Sequence, residues 1–170
     1  MKNYNELYNE LNKQHSRTIF LIGVSYALLD FFEKYDLNLN NAIIMETGGM
    51  KGRKKEITRE ELHEKLKKLT KTNFIHSEYS MTELMSQAYS FKEGIYKSPP
   101  WMKIIIRDIQ DPFNLNLYNV QGGVNIIDLA NIDSCSFIAS QDLGIKTGKT
   151  FQILGRIDNS DIRGCNLLLS

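Results

Sequence analysis

The chain of 170 residues has only two cysteines, three prolines, three histidines and one tryptophan. Two cysteines are too few for the disulfide framework of a small secreted scaffold, so a reducing, cytoplasmic setting is expected, with a single bridge left open. Charge of one sign is not in excess: 21 Lys+Arg face 20 Asp+Glu, which argues against a nucleic-acid binder that works through its whole surface. Long apolar runs are missing too. The most apolar stretch, residues 19–29, is about half of the roughly 20 residues that cross a bilayer, and Asp30 ends it. Residues 1–13 are polar and lack the apolar core and cleavage site of a signal peptide, so secretion is not expected. What is present is ordinary globular composition, 42% hydrophobic and 24% charged, enough for one domain with a core, or a domain with an appendage.

Periodicity organises the first half. Tyr4, Leu7, Tyr8 and Leu11 recur at helical spacing and predict a helix over 3–14. Residues 18–24 read as a strand, and Ser25 as the N-cap of a helix carrying Ala27, Leu28, Phe31 and Phe32. Residues 41–46 read as a second buried strand, followed by the glycine-rich Thr47-Gly48-Gly49-Met50-Lys51-Gly52 at its carboxyl end, the edge where open α/β sheets bind ligands. Thr58 and Glu61 form a capping box, Ile57 can staple against Leu62, and Leu62, Leu66 and Leu69 make a buried stripe. A third strand starts at residues 73–76 and leads through Tyr79 into a short helix by Leu84. The expected fold class is therefore α/β, a βα-repeat with a mainly parallel sheet. All three prolines, Pro99, Pro100 and Pro112, come later. There, residues 101–107, 124–129, 136–139 and 151–154 read as short strands of a β-rich, antiparallel segment. The division expected is an α/β layer over 1–97 and a β-rich segment over 98–170, together one structural unit.

Several chemistries can be weighed at once. Residues 51–71 hold nine Lys/Arg and four Asp/Glu, either a solvated helix face with pairs such as Glu61 to Lys65 and Glu64 to Lys68, or a field that draws an anionic ligand to the glycine-rich loop. Gly144-Ile145-Lys146-Thr147-Gly148-Lys149-Thr150 is one residue short of a P-loop and precedes a strand, so a β-turn is the better reading. Gly23-Val24-Ser25-Tyr26-Ala27 sits where a hydrolase nucleophile elbow would, but no histidine follows His76 to complete that order. His15, His63 and His76 are unclustered and show no zinc spacing.

The most informative segment is 77–84. A tyrosine ending a strand can offer its ring to a purine, the Thr82 hydroxyl can donate to a phosphate oxygen, and the Glu83 carboxylate is a hard oxygen ligand suited to Mg²⁺. The same residues also suit a plain strand end with a helix capped by Ser80 or Thr82.

Glu78-Tyr79-Ser80-Met81-Thr82-Glu83 resembles the Tyr-Gly-x-Thr-Glu signature of the adenylate-forming acyl and aryl ligases. Three further segments match in the same order. Thr47-Gly48-Gly49 resembles the glycine loop beside adenine, Ser140-Gln141-Asp142-Leu143 the segment with the ribose-binding aspartate, and Gly155-Arg156-Ile157-Asp158 the hinge motif. Glu46-Thr47-Gly48-Gly49-Met50-Lys51-Gly52 and the ending Gly155-Arg156-Ile157-Asp158-Asn159-Ser160-Asp161-Ile162-Arg163-Gly164-Cys165 are most similar to the acyl-protein synthetases of the luminescence fatty-acid reductase complex and their phenylacetate-CoA-ligase-like relatives. The resemblance spans nearly the whole chain but only the later half of the family's pattern.

That resemblance implies activation of a carboxylic acid, of the fatty-acid class, by ATP to acyl-AMP, followed by transfer to a thiol of CoA or of an acyl-carrier or reductase protein. Tyr79, Gly48 and Gly49 would meet adenine, Thr82 the α-phosphate, Asp142 the ribose hydroxyls and Arg156 ribose or phosphate, with Glu83 holding Mg²⁺. Cys165 is the candidate acyl acceptor; a cysteine beside Leu167, Leu168 and Leu169 can equally be core. Ser80 stands where the signature has glycine. The Ser/Thr/Gly-rich phosphate loop lies upstream of the first matched motif and the catalytic lid beyond the last, so the chain alone is expected to be inactive or very weak and to need an N-terminal half. The competing reading is a non-catalytic nucleotide-binding or interaction module. Neither reading includes a nucleic acid or a membrane span.

Overall fold

The computed structural model describes residues 3–13, 16–49, 57–115 and 117–157. In chain order these form α1 (Tyr4–Leu11), β1 (Phe20–Val24), α2 (Ser25–Lys34), β2 (Ile43–Thr47), α3 (Arg59–Thr70), β3 (His76–Tyr79), β4 (Ala88–Ser90), β5 (Tyr96–Lys97), β6 (Met102–Arg107), β7 (Gln121–Asp128), a 3-10 turn at Leu129–Asn131, β8 (Phe137–Thr147) and β9 (Thr150–Arg156). Among the described residues no helix is long and apolar enough to cross a membrane.

The strands make one sheet in the order β1-β2-β3-β4-β5-β9-β8-β7-β6. β1, β2 and β3 are parallel, with Phe20 beside Ile43 and Met45 beside His76. Every later pairing is antiparallel. This is the mixed α/β architecture that the sequence predicts, parallel first and antiparallel after.

Two apolar cores follow from that order. The strand-to-helix crossovers from β1 to β2 and from β2 to β3 step the same way across the sheet, which places their helices on one face. There Leu28, Leu29, Phe31 and Phe32 of α2 and Leu62 and Leu66 of α3 bury against Ile44 and Ile75, each contributing about 2 kcal/mol. Gly23 lets α2 approach, since a Cβ there would lie 2.9 Å from Leu28 Cδ2. Side chains alternate along a strand, so the register sets Phe20, Ile22 and Ile43 on the opposite face, where they are exposed. The second core joins Tyr79, Ala88, Tyr96, Met102, Ile104, Ile106, Val124, Ile126 and Phe151.

The capping box of α3 forms as read: Thr58 accepts from the Glu61 N–H and the Glu61 carboxylate accepts from the Thr58 N–H. Other expectations are corrected. No helix follows Tyr79; Thr82 and Glu83 form a turn and the chain returns as β4, so the βα units number two, not three. The segment has helix-compatible spacing, but its Met85 and Ser86 N–H groups bond to Asp128. Ser25 is the first residue of α2, not its cap, and its hydroxyl is engaged elsewhere. Glu64 pairs with Lys67 rather than Lys68, and Glu61 serves the cap. The P-loop-like segment is a hairpin: Thr147 pairs with Thr150 around Gly148, whose φ of 58° is the left-handed turn value that glycine adopts without cost.

Candidate functional site

Parallel pairing of β2 and β3 sets Thr47 beside Glu78, so Gly48 and the residues after Tyr79 leave the sheet side by side at its carboxyl edge. Two hydroxyls fix that edge, with Thr47 Oγ1 at 3.2 Å and Ser80 Oγ at 3.1 Å donating to the same Glu78 oxygen. Gly48 takes a left-handed φ of 69°, open to glycine without strain. A Cβ at Gly49 would meet no atom of the described residues within 4 Å.

Tyr79 is 8% exposed and its ring meets Tyr96 and Phe151 edge-on. Its hydroxyl donates to Asp142 Oδ2 at 2.6 Å. Burial first, and then the Asp142 charge, push the phenol pKa upward. Asp142 faces Arg156 across the β8–β9 ladder, and Arg156 Nη2 donates to Gln141 Oε1 at 2.7 Å. One pair further along the register slips, Leu143 pairing with Gly155 but Gly144 with Ile153. This bulge, with Gly155 at φ 150°, re-aims the end of β9 that carries Arg156.

Thr82 and Glu83 are exposed in the turn after Tyr79. Two residues that sequence reading did not single out anchor this turn. Asp128, fully buried, accepts from the Met85 and Ser86 N–H groups, from Ser86 Oγ at 2.7 Å and from the Ala130 N–H. Burial alone would raise its pKa; the donated bonds outweigh that and hold it below the usual value. Asn131 Nδ2 donates to the Glu83 carbonyl at 2.6 Å, and Trp101 Nε1 donates to Ser86 Oγ at 2.9 Å. An apolar groove of about 610 Å³ borders the turn, lined by Met85, Tyr89, Phe91, Pro99 and Trp101 among others.

A second buried cluster lies beneath the glycine loop. Glu46, 1% exposed, takes the Ser25 hydroxyl on Oε2 at 2.9 Å and Arg59 Nε on Oε1 at 3.3 Å. His63 Nε2 stands 3.5 Å from Glu46 Oε1 and 3.1 Å from Ser77 Oγ. Burial by itself would raise the Glu46 pKa; the His63 bond, the Arg59 charge and the Ser77 and Ser25 hydroxyls overcome it and lower the value. Ser25 is thus an internal hydrogen-bonding residue, consistent with setting aside a nucleophile elbow. His63 had no sequence neighbour to suggest a partner; only the α3–β2 packing brings one.

The fold therefore hydrogen-bonds Tyr79 to Asp142, sets Arg156 opposite Asp142 in the β8–β9 register with its guanidinium on Gln141, and places Gly48 and Gly49 at the adjoining sheet edge, with Thr82 and Glu83 in the next turn. Cys165, Asp158 and residues 50–56 lie outside the described residues. Among the described residues no group of three or more His, Cys, Asp or Glu could hold a metal ion.

No protein-family model and no curated protein matches the sequence. Solved structures match in fold. ATP-bound MatB from Rhodopseudomonas palustris aligns at 13% identity and a TM-score of 0.66, over 91% of this chain and 33% of that one. The o-succinylbenzoate CoA synthetase MenE from Bacillus subtilis, in complex with AMP, aligns at 18% identity and 0.62, over 91% and 34%. A benzoate CoA ligase from Burkholderia xenovorans aligns at 16% and 0.59, over 92% and 35%. The chain has the fold of part of an adenylate-forming ligase and spans about a third of the length of these neighbours.

Proposed function

We propose that this chain supplies the adenine, ribose and metal side of an acyl-adenylate-forming site, of the acyl-protein synthetase type. The supporting observation is convergence: Gly48 and Gly49 at the edge of β2 adjoin Tyr79 at the edge of β3, Tyr79 bonds Asp142, and Asp142 opposes Arg156. Residues of four motifs far apart in sequence thus lie along one stretch of the sheet, which supports the reading. Those neighbours whose structures hold ATP or AMP share the fold.

The residues fit an adenylate. With no Cβ, Gly49 would let a base approach its backbone. Asp142 keeps one carboxylate oxygen for ribose hydroxyls while the other accepts from Tyr79, and the exposed Arg156 adds a charge-assisted contact. Tyr79 is mostly covered, so its ring forms the floor of the base site and its hydroxyl orients Asp142. Thr82 and Glu83 are exposed in their anchored turn; the Thr82 hydroxyl would donate to a phosphate oxygen, and Glu83 would hold a Mg²⁺ ion, which would neutralise charge building on the phosphate. In the reaction, a carboxylate oxygen of the acid bonds to the α-phosphorus as its bond to pyrophosphate breaks. A thiol sulfur then takes the acyl carbon and AMP leaves, with Cys165 or an external thiol as acceptor. The 610 Å³ apolar groove beside the turn suits an aliphatic acyl chain.

Calorimetry of the purified chain with AMP tests this reading. Binding that is lost in Asp142→Ala and Arg156→Ala is expected, with no ATP–pyrophosphate exchange by the chain alone. No AMP binding at millimolar concentration would overturn the nucleotide reading in favour of an interaction module.

A further inference from the structure

The Glu46 cluster belongs to neither the nucleotide contacts nor the anchored turn, yet it reaches both walls of the candidate site. One wall is the glycine loop: the Ser25 hydroxyl, 2.9 Å from Glu46 Oε2, also lies 3.1 Å from the Gly48 carbonyl oxygen, so a single proton is shared between the carboxylate and the loop backbone. The other wall is β9. Arg59, whose Nε bonds Glu46, donates from Nη1 to the Ile153 carbonyl at 3.1 Å. Ile153 lies just before the bulge at Gly155 that aims Arg156. Arg59 also covers the Tyr96 ring, with 5.3 Å to its centroid, and the buried Tyr96 hydroxyl has no hydrogen-bond partner among the described residues. The cluster thus runs between the two apolar cores, from the α2–α3 layer to the antiparallel strands.

A carboxylate this buried is costly, and an apolar side chain of similar volume would fill the space at less expense. It sits two residues before Gly48. We propose that Glu46 is a positioning residue: through Ser25 it fixes the Gly48 loop, and through Arg59 it fixes β9, so that one buried anion holds the two walls of the nucleotide site in mutual register. The role in nucleotide binding rests on the reading above, whereas the two-sided tie is a property of the chain without ligand.

Deuterium uptake of the ligand-free chain separates the two. Ser25→Ala is expected to raise uptake in the peptide over residues 43–49 and leave 150–156 near wild type. Arg59→Met is expected to raise it over 150–156, and Glu46→Gln over both. Arg59→Lys restores charge but not the fork that reaches two acceptors, so it is expected to behave like Arg59→Met. Each variant should also weaken AMP binding about five- to tenfold, the loss of roughly one hydrogen bond. Uptake that rises uniformly, including over residues 102–107, or that is unchanged over 43–49 in Ser25→Ala, would overturn the proposal. So would rescue by Arg59→Lys, which would make the role one of charge alone. Ser25→Ala removes one oxygen atom and is the variant to rely on should Glu46→Gln fail to fold. If wild-type chain does not bind AMP, the nucleotide reading fails, while the uptake pattern still decides whether the tie exists.

Discussion

Replacing Tyr79 with phenylalanine isolates the bond that joins β3 to β8. The ring remains, so its contacts with Tyr96 and Phe151 are kept and only the 2.6 Å bond to Asp142 is lost. Bonds to charged acceptors contribute about 1.5–3 kcal/mol. Asp142 is half-buried, so water can take the place of the phenol, which sets the expectation near the low end, about 1.5 kcal/mol. For a chain of this size that is a fall in Tm of about 3–6 °C. A thermal double-mutant cycle with Asp142→Asn measures the coupling directly. The pH dependence supplies a second signature. Because the folded phenol pKa is raised above 10.0, the unfolded chain releases this proton first, and stability falls as pH rises beyond 10. Tyr79→Phe should remove part of that slope and leave the part due to Tyr96, whose phenol burial pushes up to about 12. A coupling energy near zero, or an unchanged alkaline slope, would refute the reasoning.

At acid pH the signs reverse. Glu46 and Asp128 are both held below their ordinary values of 4.5 and 3.8, so the stability they contribute is complete above those values and lost as pH falls through the folded ones. Thermal melts should show a steep acid limb that Asp128→Asn flattens at the cost of a lower Tm at pH 7; an unaltered limb would exclude Asp128 as a source. Gly122→Ala should destabilise by about 3 kcal/mol in urea titrations, because its Cβ would lie 2.2 Å from the Arg107 carbonyl oxygen, which is backbone and cannot swing aside; a loss under 1 kcal/mol would mean that β6 and β7 part easily. Phe20→Lys, on the open sheet face at 56% exposure, should reduce self-association in sedimentation runs at rising concentration without lowering Tm, and an unchanged sedimentation profile would show that this face is not sticky.

Local signals carried much of the fold. Thr58 and Glu61 announce α3 because a capping box is a contact within four residues, and the apolar stripes of α2 and α3 repeat at helical period. The turn at Thr82 and Glu83 could not be read that way. Its spacing permits a helix, and the competing hydrogen bonds come from Asp128 and Asn131, over forty residues downstream. The same holds for the site. Gly48, Tyr79, Asp142 and Arg156 stand out through motif resemblance, but the tie from Glu46 through Arg59 to Ile153 depends on side chains of ordinary type whose partners are set by tertiary packing. Strands β4 and β5, three and two residues long, are too short to show a period.

β9 is the last described strand in sequence, yet it stands inside the sheet between β5 and β8. It meets the first half of the sheet through the pairing of Tyr96 with Phe151. As the chain leaves the ribosome, β1 to β5 and β6 to β8 can each form early, but no strand joins them until residues 150–156 emerge. Closure then requires an excursion of more than fifty residues between Tyr96 and Phe151, an entropic cost borne in one late step. Asp142 can pair with Arg156 only after that step, so the candidate site is assembled only once β9 has emerged.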